Sequence, residues 1–222
     1  MKNRLSSIAL ILMLSASFTI AQEKTKMSFG ILGGANYQNL NGKLSSGDKL
    51  QNDMLLGFHG GVNVQIPFAP EFYFQPGVMF AIKGAKSTNS LGTETTKLNY
   101  IEVPLNLVYK GSIGNGFVML GFGPYVAYGI RGNVKNAGTL NYDRKIEFKS
   151  VVETTDPLTV PYYKALDAGA NIFAGYEMAS GIFLQLDTQF GMLNINPEDK
   201  RILTDKSSKK NTGFGLSLGY RF

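Results

Sequence analysis

The sequence predicts an all-β protein: a single eight-stranded antiparallel transmembrane β-barrel with short periplasmic turns and longer extracellular loops. Three observations predict it. Apolar side chains alternate with small or polar ones along most of the chain, the period of two that a strand has and a helix lacks. The links between these runs are mostly short on one side and long on the other, as in barrels that cross a membrane. After the opening segment there is no second long apolar run. A membrane crossing therefore falls to strands closed on themselves.

The opening segment reads as a leader and not as part of the fold. Met1-Lys2-Asn3-Arg4 is basic, Leu5 to Ile20 is apolar with small residues, and Thr19-Ile20-Ala21 carries small residues where a signal peptidase needs them. Residues 1–21 are expected to be a signal peptide and residues 22–222 the barrel domain.

The strands follow in order. Met27, Phe29, Ile31 and Tyr37 alternate with Ser28, Gly30, Gly34 and Asn36. Phe58, Val62, Val64 and Ile66 alternate with His59, Gly61, Asn63 and Gln65. Phe72–Lys83 and Phe117–Arg131 are apolar-rich on both faces and fit less cleanly. Ile101, Val103, Leu105, Leu107 and Tyr109 alternate with Glu102, Pro104, Asn106 and Lys110. Leu166, Ala168, Ala170, Ile172, Ala174 and Tyr176 alternate with Asp167, Gly169, Asn171, Gly175 and Glu177. Ile182, Leu184, Leu186, Phe190 and Met192 alternate with Gln185, Asp187, Gln189 and Gly191. The last twelve residues are the clearest, with Phe214, Leu216, Leu218, Tyr220 and Phe222 on one face and Gly213, Gly215, Ser217, Gly219 and Arg221 on the other. The expected limits are 26–38, 54–66, 72–87, 94–110, 117–132, 164–177, 182–193 and 211–222. Short links fall at Pro67–Pro70, Gly111–Asn115 and Met178–Gly181, and longer polar links at 39–53, 88–93, 133–163 and 194–210.

The alternative architecture is a soluble cup for an apolar ligand, which needs an apolar lining. The face opposite the apolar one is Gly, Ser, Asn, Gln and charge, which suits a narrow hydrated interior. Pro76, Pro104 and Pro124 fall inside strands and each removes a ladder donor, so a bulge is expected at some of them. Leu140–Phe148 could form a hairpin above the membrane, and a ten-stranded barrel that uses it is the second choice of fold.

Composition excludes several chemistries. The 222 residues carry Lys+Arg 22 against Asp+Glu 16 and no cysteine. Disulfides, Fe–S clusters, thiolate metal sites and thiol nucleophiles are ruled out. One histidine rules out a multi-His metal site within one chain. The formal charge of +6 falls when the leader's Lys2 and Arg4 are removed, and is too mild to argue for nucleic acid. Gly121-Phe-Gly123 and Gly213-Phe-Gly215 lack the Lys-Ser/Thr ending of a phosphate loop. No catalytic residue, cofactor or metal ligand is expected.

Tyr100-Ile-Glu-Val-Pro-Leu-Asn-Leu-Val-Tyr-Lys110 resembles the "Y-hydrophobic-E-hydrophobic-P-L" strand of PorT-like outer-membrane β-barrel proteins. Gly121–Gly129, Phe72–Phe80, Asp167–Glu177 and Phe29–Asn36 resemble other strands of that family. The resemblance covers essentially the whole mature chain. It implies an eight-stranded barrel in a gram-negative outer membrane and carries no activity with it. Phe214, Leu216, Leu218, Tyr220 and Phe222 also resemble the final strand of outer-membrane barrels, which implies recognition by the barrel-assembly machinery.

The interior face is expected to hold a polar network of Lys83, Glu102, Lys110, Arg131, Asp167, Glu177, Asp187 and Arg221, because a charge inside a barrel must find a partner or water. Arg131 and Asp167 are placed near the outer rim, and Lys110, Glu177 and Arg221 near the inner rim. His59 is expected to face the interior as a lone polar filler. Residues 194–210 carry Lys200, Arg201, Lys206, Lys209 and Lys210 against Glu198, Asp199 and Asp205, at the height of lipid-A phosphates. The expected partners are outer-membrane lipid and lipopolysaccharide, the assembly machinery, and a protein of an envelope complex. The expected role is non-enzymatic: structural or adhesive through the outer loops, or accessory to an envelope or secretion complex. A small-solute channel is the alternative. A lipid-modifying enzyme comes third, and needs His59 beside a Ser and an acid on converging strands.

Overall fold

A computed structural model describes residues 26–202 and 204–222; the expected signal peptide lies outside the described residues. Eight long strands form the molecule: β1 (Ser28–Lys43), β2 (Leu55–Ala69), β3 (Phe72–Asn89), β4 (Gly92–Ile113), β5 (Gly116–Gly138), β6 (Leu166–Met178), β7 (Ile182–Gly191) and β8 (Ser208–Arg221). Each pairs antiparallel with its neighbour in sequence, and β8 pairs with β1 from Gly30↔Arg221 to Lys43↔Ser208, which closes the ring. Closure leaves every barrel strand a partner on both sides, the condition for backbone in lipid.

The alternation sets which side chains meet lipid. Ile31, Val62, Leu105, Ile172, Leu184 and Leu218 are exposed on the outer wall, while Asn63, Gln65, Glu102, Asn106, Asp167 and Ser217 are buried. Aromatic residues band the turn end, where Phe72 and Tyr109 rings lie 5.4 Å apart and Tyr220 and Phe222 4.9 Å apart. Tyr37 and Phe214, 5.6 Å apart, belong to a second band higher up, as at the two faces of a bilayer.

The turn end is compact. Pro70–Glu71 joins β2 to β3, Gly114–Asn115 joins β4 to β5, and Ala179–Gly181 joins β6 to β7. Glu71 takes a left-handed φ of 64°, a tight-turn conformation uncommon for a residue with a side chain. At the other end the link expected at 88–93 is a tight turn of Ser90 and Leu91. The strands β3, β4 and β5 run on together, paired to their tips, beyond the lipid, where a ladder needs no greasy face.

Two further expectations are corrected. The register stays in step across each proline: Asn63↔Gly77 and Ile66↔Phe74 flank Pro76, and Pro104↔Tyr125 and Leu107↔Phe122 flank Pro124. Each proline interrupts the ladder without adding a residue. The bulges lie instead at Pro67/Ala69 and at Asn99/Tyr100, where β5 carries one extra residue. The barrel also has eight strands and not ten. Tyr142–Lys145 pairs only with Asn133–Asn136 at the upper end of β5, while the lower part of β5 pairs directly with β6.

The interior is layered. Nearest the turns lies a charged girdle. Above it Leu32, Val108, Met119, Phe173 and Phe183 form an apolar plug. A polar cavity and a buried charge cluster follow. The top is a second apolar core of Leu40, Leu98, Tyr100, Tyr125, Val134, Ile146, Tyr163 and Ile195 with others, built by the strands and the outer loops together.

Candidate functional site: the barrel interior and the loop head

The upper charge cluster is built around Lys83 of β3. Its ammonium is fully buried and lies 2.8 Å from Glu102 of β4 and 3.3 Å from Asp167 of β6. It also sits 4.2 Å from the ring centre of Tyr125. Asp167 accepts from Tyr125 Oη at 3.2 Å and from Asn211 Nδ2 at 2.9 Å, and Glu102 accepts from Gln189 Nε2 at 2.7 Å. The cluster around this one cation thus ties two carboxylates and six strands together. A buried ammonium is tolerable only with such company.

The lower cluster is built around Glu177 of β6, which accepts from Lys110 Nζ at 2.6 Å and from Arg221 Nε at 2.9 Å. Arg221 also donates to Asn63 Oδ1 at 3.0 Å and lies 5.2 Å from the Phe183 ring centre. The guanidinium fork spends its donors on several acceptors, as its planar geometry allows.

The sequence places eight residues in one network, and the structure divides them. Lys83, Glu102 and Asp167 form the upper cluster; Lys110, Glu177 and Arg221 form the lower one. Asp187 lines the polar cavity between them, with no ion pair among the described residues. Gly215 leaves it room, since a Cβ there would lie 2.9 Å from its carboxylate. Arg131 is not in the interior. The bulge in β5 puts two successive residues, Ile130 and Arg131, on the outer surface, and parity is reversed from there upward.

The cavity has a volume near 70 Å³ and is lined by Asn36, Gln38, His59, Asn106, Asp187 and Ser217 among others. That is room for about two waters. His59 Nε2 lies 2.6 Å from Ser217 Oγ, a pairing the sequence reading did not make. Both residues pair with Gly34 of β1, which stands between them. A Cβ on Gly34 would lie 1.9 Å from the carbonyl oxygen of Leu216, so the missing side chain lets His59 and Ser217 meet across β1. A histidine-activated serine also needs an orienting acid and access for substrate. Among the described residues no carboxylate hydrogen-bonds to His59, Ser217 is wholly buried, and the cavity is far smaller than a lipid. The contact joins β2 to β8 across β1 inside the barrel.

Above the barrel the outer loops fold onto each other. Glu147–Phe148 pairs parallel with Tyr162–Tyr163, and Val151–Val152 pairs parallel with Glu198–Asp199 of the last loop. Lys149 meets Asp156 at 2.6 Å, Lys200 meets Glu153 at 2.8 Å and Arg201 meets Asp199 at 2.6 Å. The Lys149 ammonium holds Asp156 below the usual carboxylate range, helped by the amide of Glu153, and the Arg201 guanidinium does the same for Asp199. The loops enclose a cleft of about 280 Å³, bordered by Lys43, Tyr162, Pro197, Arg201 and Lys209. Leu44, Leu91, Leu140, Leu158 and Ile202 are exposed on this head, Leu158 at 83%.

The family model for the outer membrane protein beta-barrel domain matches residues 20–196. The chain belongs to that family. Its members are outer-membrane barrels, and this places the chain in the outer membrane with its outer wall in lipid. No curated protein sequence matches the chain. Among solved structures, the chain is similar to Ail, the attachment invasion locus protein of Yersinia pestis, at 12% identity over 89% of this chain and 100% of that one, with a TM-score of 0.39. It is likewise similar to Neisserial surface protein A, at 15% identity over 87% of this chain and 95% of that one, with a TM-score of 0.43.

Proposed function

We propose that this outer-membrane barrel is a sealed, non-enzymatic scaffold that presents its loop head to a protein partner, either as an adhesive surface or as an accessory of an envelope complex. The observation that carries the reading is the contrast between interior and head. The interior is plugged by two apolar layers and two ion clusters. The head is ordered by its own strand pairs and carries five exposed apolar side chains, which a loop serving only as a connection has no reason to hold above a membrane. Placement with the PorT-like proteins rests on the Tyr100–Leu105 motif and belongs to this proposal. So does the reading of β8, with Phe214, Leu216, Leu218, Tyr220 and Phe222 on its outer face, as the strand that the assembly machinery reads.

A photo-crosslinking residue at position 158 tests the proposal in intact cells. A discrete protein adduct is expected there and none from the same group at lipid-facing position 105. Absence of any adduct from several head positions would overturn the docking role. The channel reading is tested separately in planar bilayers, where no discrete conductance steps are expected.

A further inference from the structure

The side of the barrel formed by β3, β4 and β5 carries a patch that the loop-head proposal does not use. The register fixes it row by row. Phe80, Ile101 and Tyr128 lie side by side on the outer wall, all exposed. The next row up is Ile82, Asn99 and Arg131. The row above pairs Lys97 with Asn133, and Asn133 with Lys145 of the short edge strand. The last pairs Thr95 with Lys135. Arg131, Lys97, Lys145 and Lys135 are all exposed, and none forms an ion pair among the described residues. Asp143, beside Lys135, sits at the upper edge and accepts from Asn133 at 2.9 Å.

Strands lie about 4.8 Å apart and two residues rise about 6.7 Å along a strand. The four cations therefore share an area about 10–15 Å across, directly above apolar side chains that face acyl tails. The opposite side differs. There Tyr37 and Phe214 are followed upward by Asn39 and Thr212, by Asn41 and Lys210, then by Lys43 and Ser208, with two cations in place of four. The basic residues of 194–210 are also more committed, since Lys200 and Arg201 are ion-paired and Lys209 donates to Tyr163.

We infer that the outer wall of β3–β5 binds a phosphorylated glycolipid of the outer leaflet, its phosphates held by Lys97, Arg131, Lys135 and Lys145 and its acyl chains lying on Phe80, Ile101 and Tyr128. The placement supports a lipid in particular: the cations stand at the edge of the lipid-facing wall, with apolar surface continuous beneath them. Fixed cations gain most from an anion carrying more than one charge, and long basic side chains reach along the wall to it.

The test uses the full chain folded in detergent micelles and native mass spectrometry with lipid A as the probe. Wild type is expected to retain lipid A at least tenfold more than the same lipid stripped of its phosphates. Retention should fall with added salt and be insensitive to excess inorganic phosphate. K97Q/R131Q/K135Q/K145Q should lose at least tenfold, whereas the charge-preserving K97R/R131K/K135R/K145R and the loop variant K200Q/K206Q/K210Q should bind as wild type. Equal retention of both lipids by wild type would overturn the inference without any variant being needed. So would loss confined to the loop variant, or displacement by inorganic phosphate alone. These outcomes leave the crosslinking result at position 158 untouched.

Discussion

Lys83 is the residue on which the upper interior depends. Lys83→Met leaves the carboxylates of Glu102 and Asp167 buried without their cation. Breaking a buried pair in this way costs about 3–5 kcal/mol. Urea titration in micelles, read from heat-modified gel mobility, should show the loss. The triple variant K83M/E102Q/D167N should recover most of it, because neutral amides need only hydrogen bonds. A glycine is equally decisive. A Cβ on Gly121 would lie 2.2 Å from the Phe173 ring, so Gly121→Ala overpacks the lower plug and should cost about 1–3 kcal/mol. Combining it with Phe173→Leu should give less than the sum of the two single losses, which a double-mutant cycle measures.

At the scale of elements, the bulge in β5 decides what the upper third of that strand shows to each side. The chain has no cysteine, so single cysteines report exposure cleanly. Arg131→Cys should react with a membrane-impermeant maleimide on intact cells, while Ala127→Cys, buried on the inner face, should stay unlabelled until the barrel is unfolded. The head loop makes a pH prediction. Asp156 and Asp199 are held below their ordinary value of 3.8 by Lys149 and Arg201. A depressed folded-state pKa contributes stability that is complete above the ordinary value and is lost as pH falls through the lowered one. Hydrogen exchange corrected for its intrinsic rate should therefore show residues 149–157 and 198–202 opening below about pH 3.8, with the amide of Glu153 among the first, since it donates to Asp156 at 2.9 Å. The barrel strands should stay protected.

For the whole molecule, closure and layering act together. Eight strands form a barrel just narrow enough for side chains to fill, and this one is filled at four levels. Much of this was legible in the sequence. The eight strands were, because lipid demands a greasy outer face and the greasy face has a period of two. Their upper ends were not: β5 runs to Gly138 and β8 starts at Ser208, since ladders above the lipid pair without any apolar signal. The acidic and basic members of the two interior clusters stood out as charges on an otherwise small or polar face. Their partners could not be read off, because Lys83 and Asp167 are 84 positions apart. His59 and Ser217 were visible only as a lone histidine and one more small residue; their contact depends on Gly34 between them. Arg131 was misplaced because a bulge adds a residue without changing the pattern beneath it.

Composition and periodicity by themselves determined a strand-built wall with apolar groups turned to lipid, because that demand acts on each residue wherever its neighbours lie. Pairing determined the rest: which charges meet, where parity slips, how the loops knit into a head and which side of the cylinder gathers uncommitted cations. Those outcomes depend on contacts between residues far apart in the chain, and a linear pattern holds no record of distance in space.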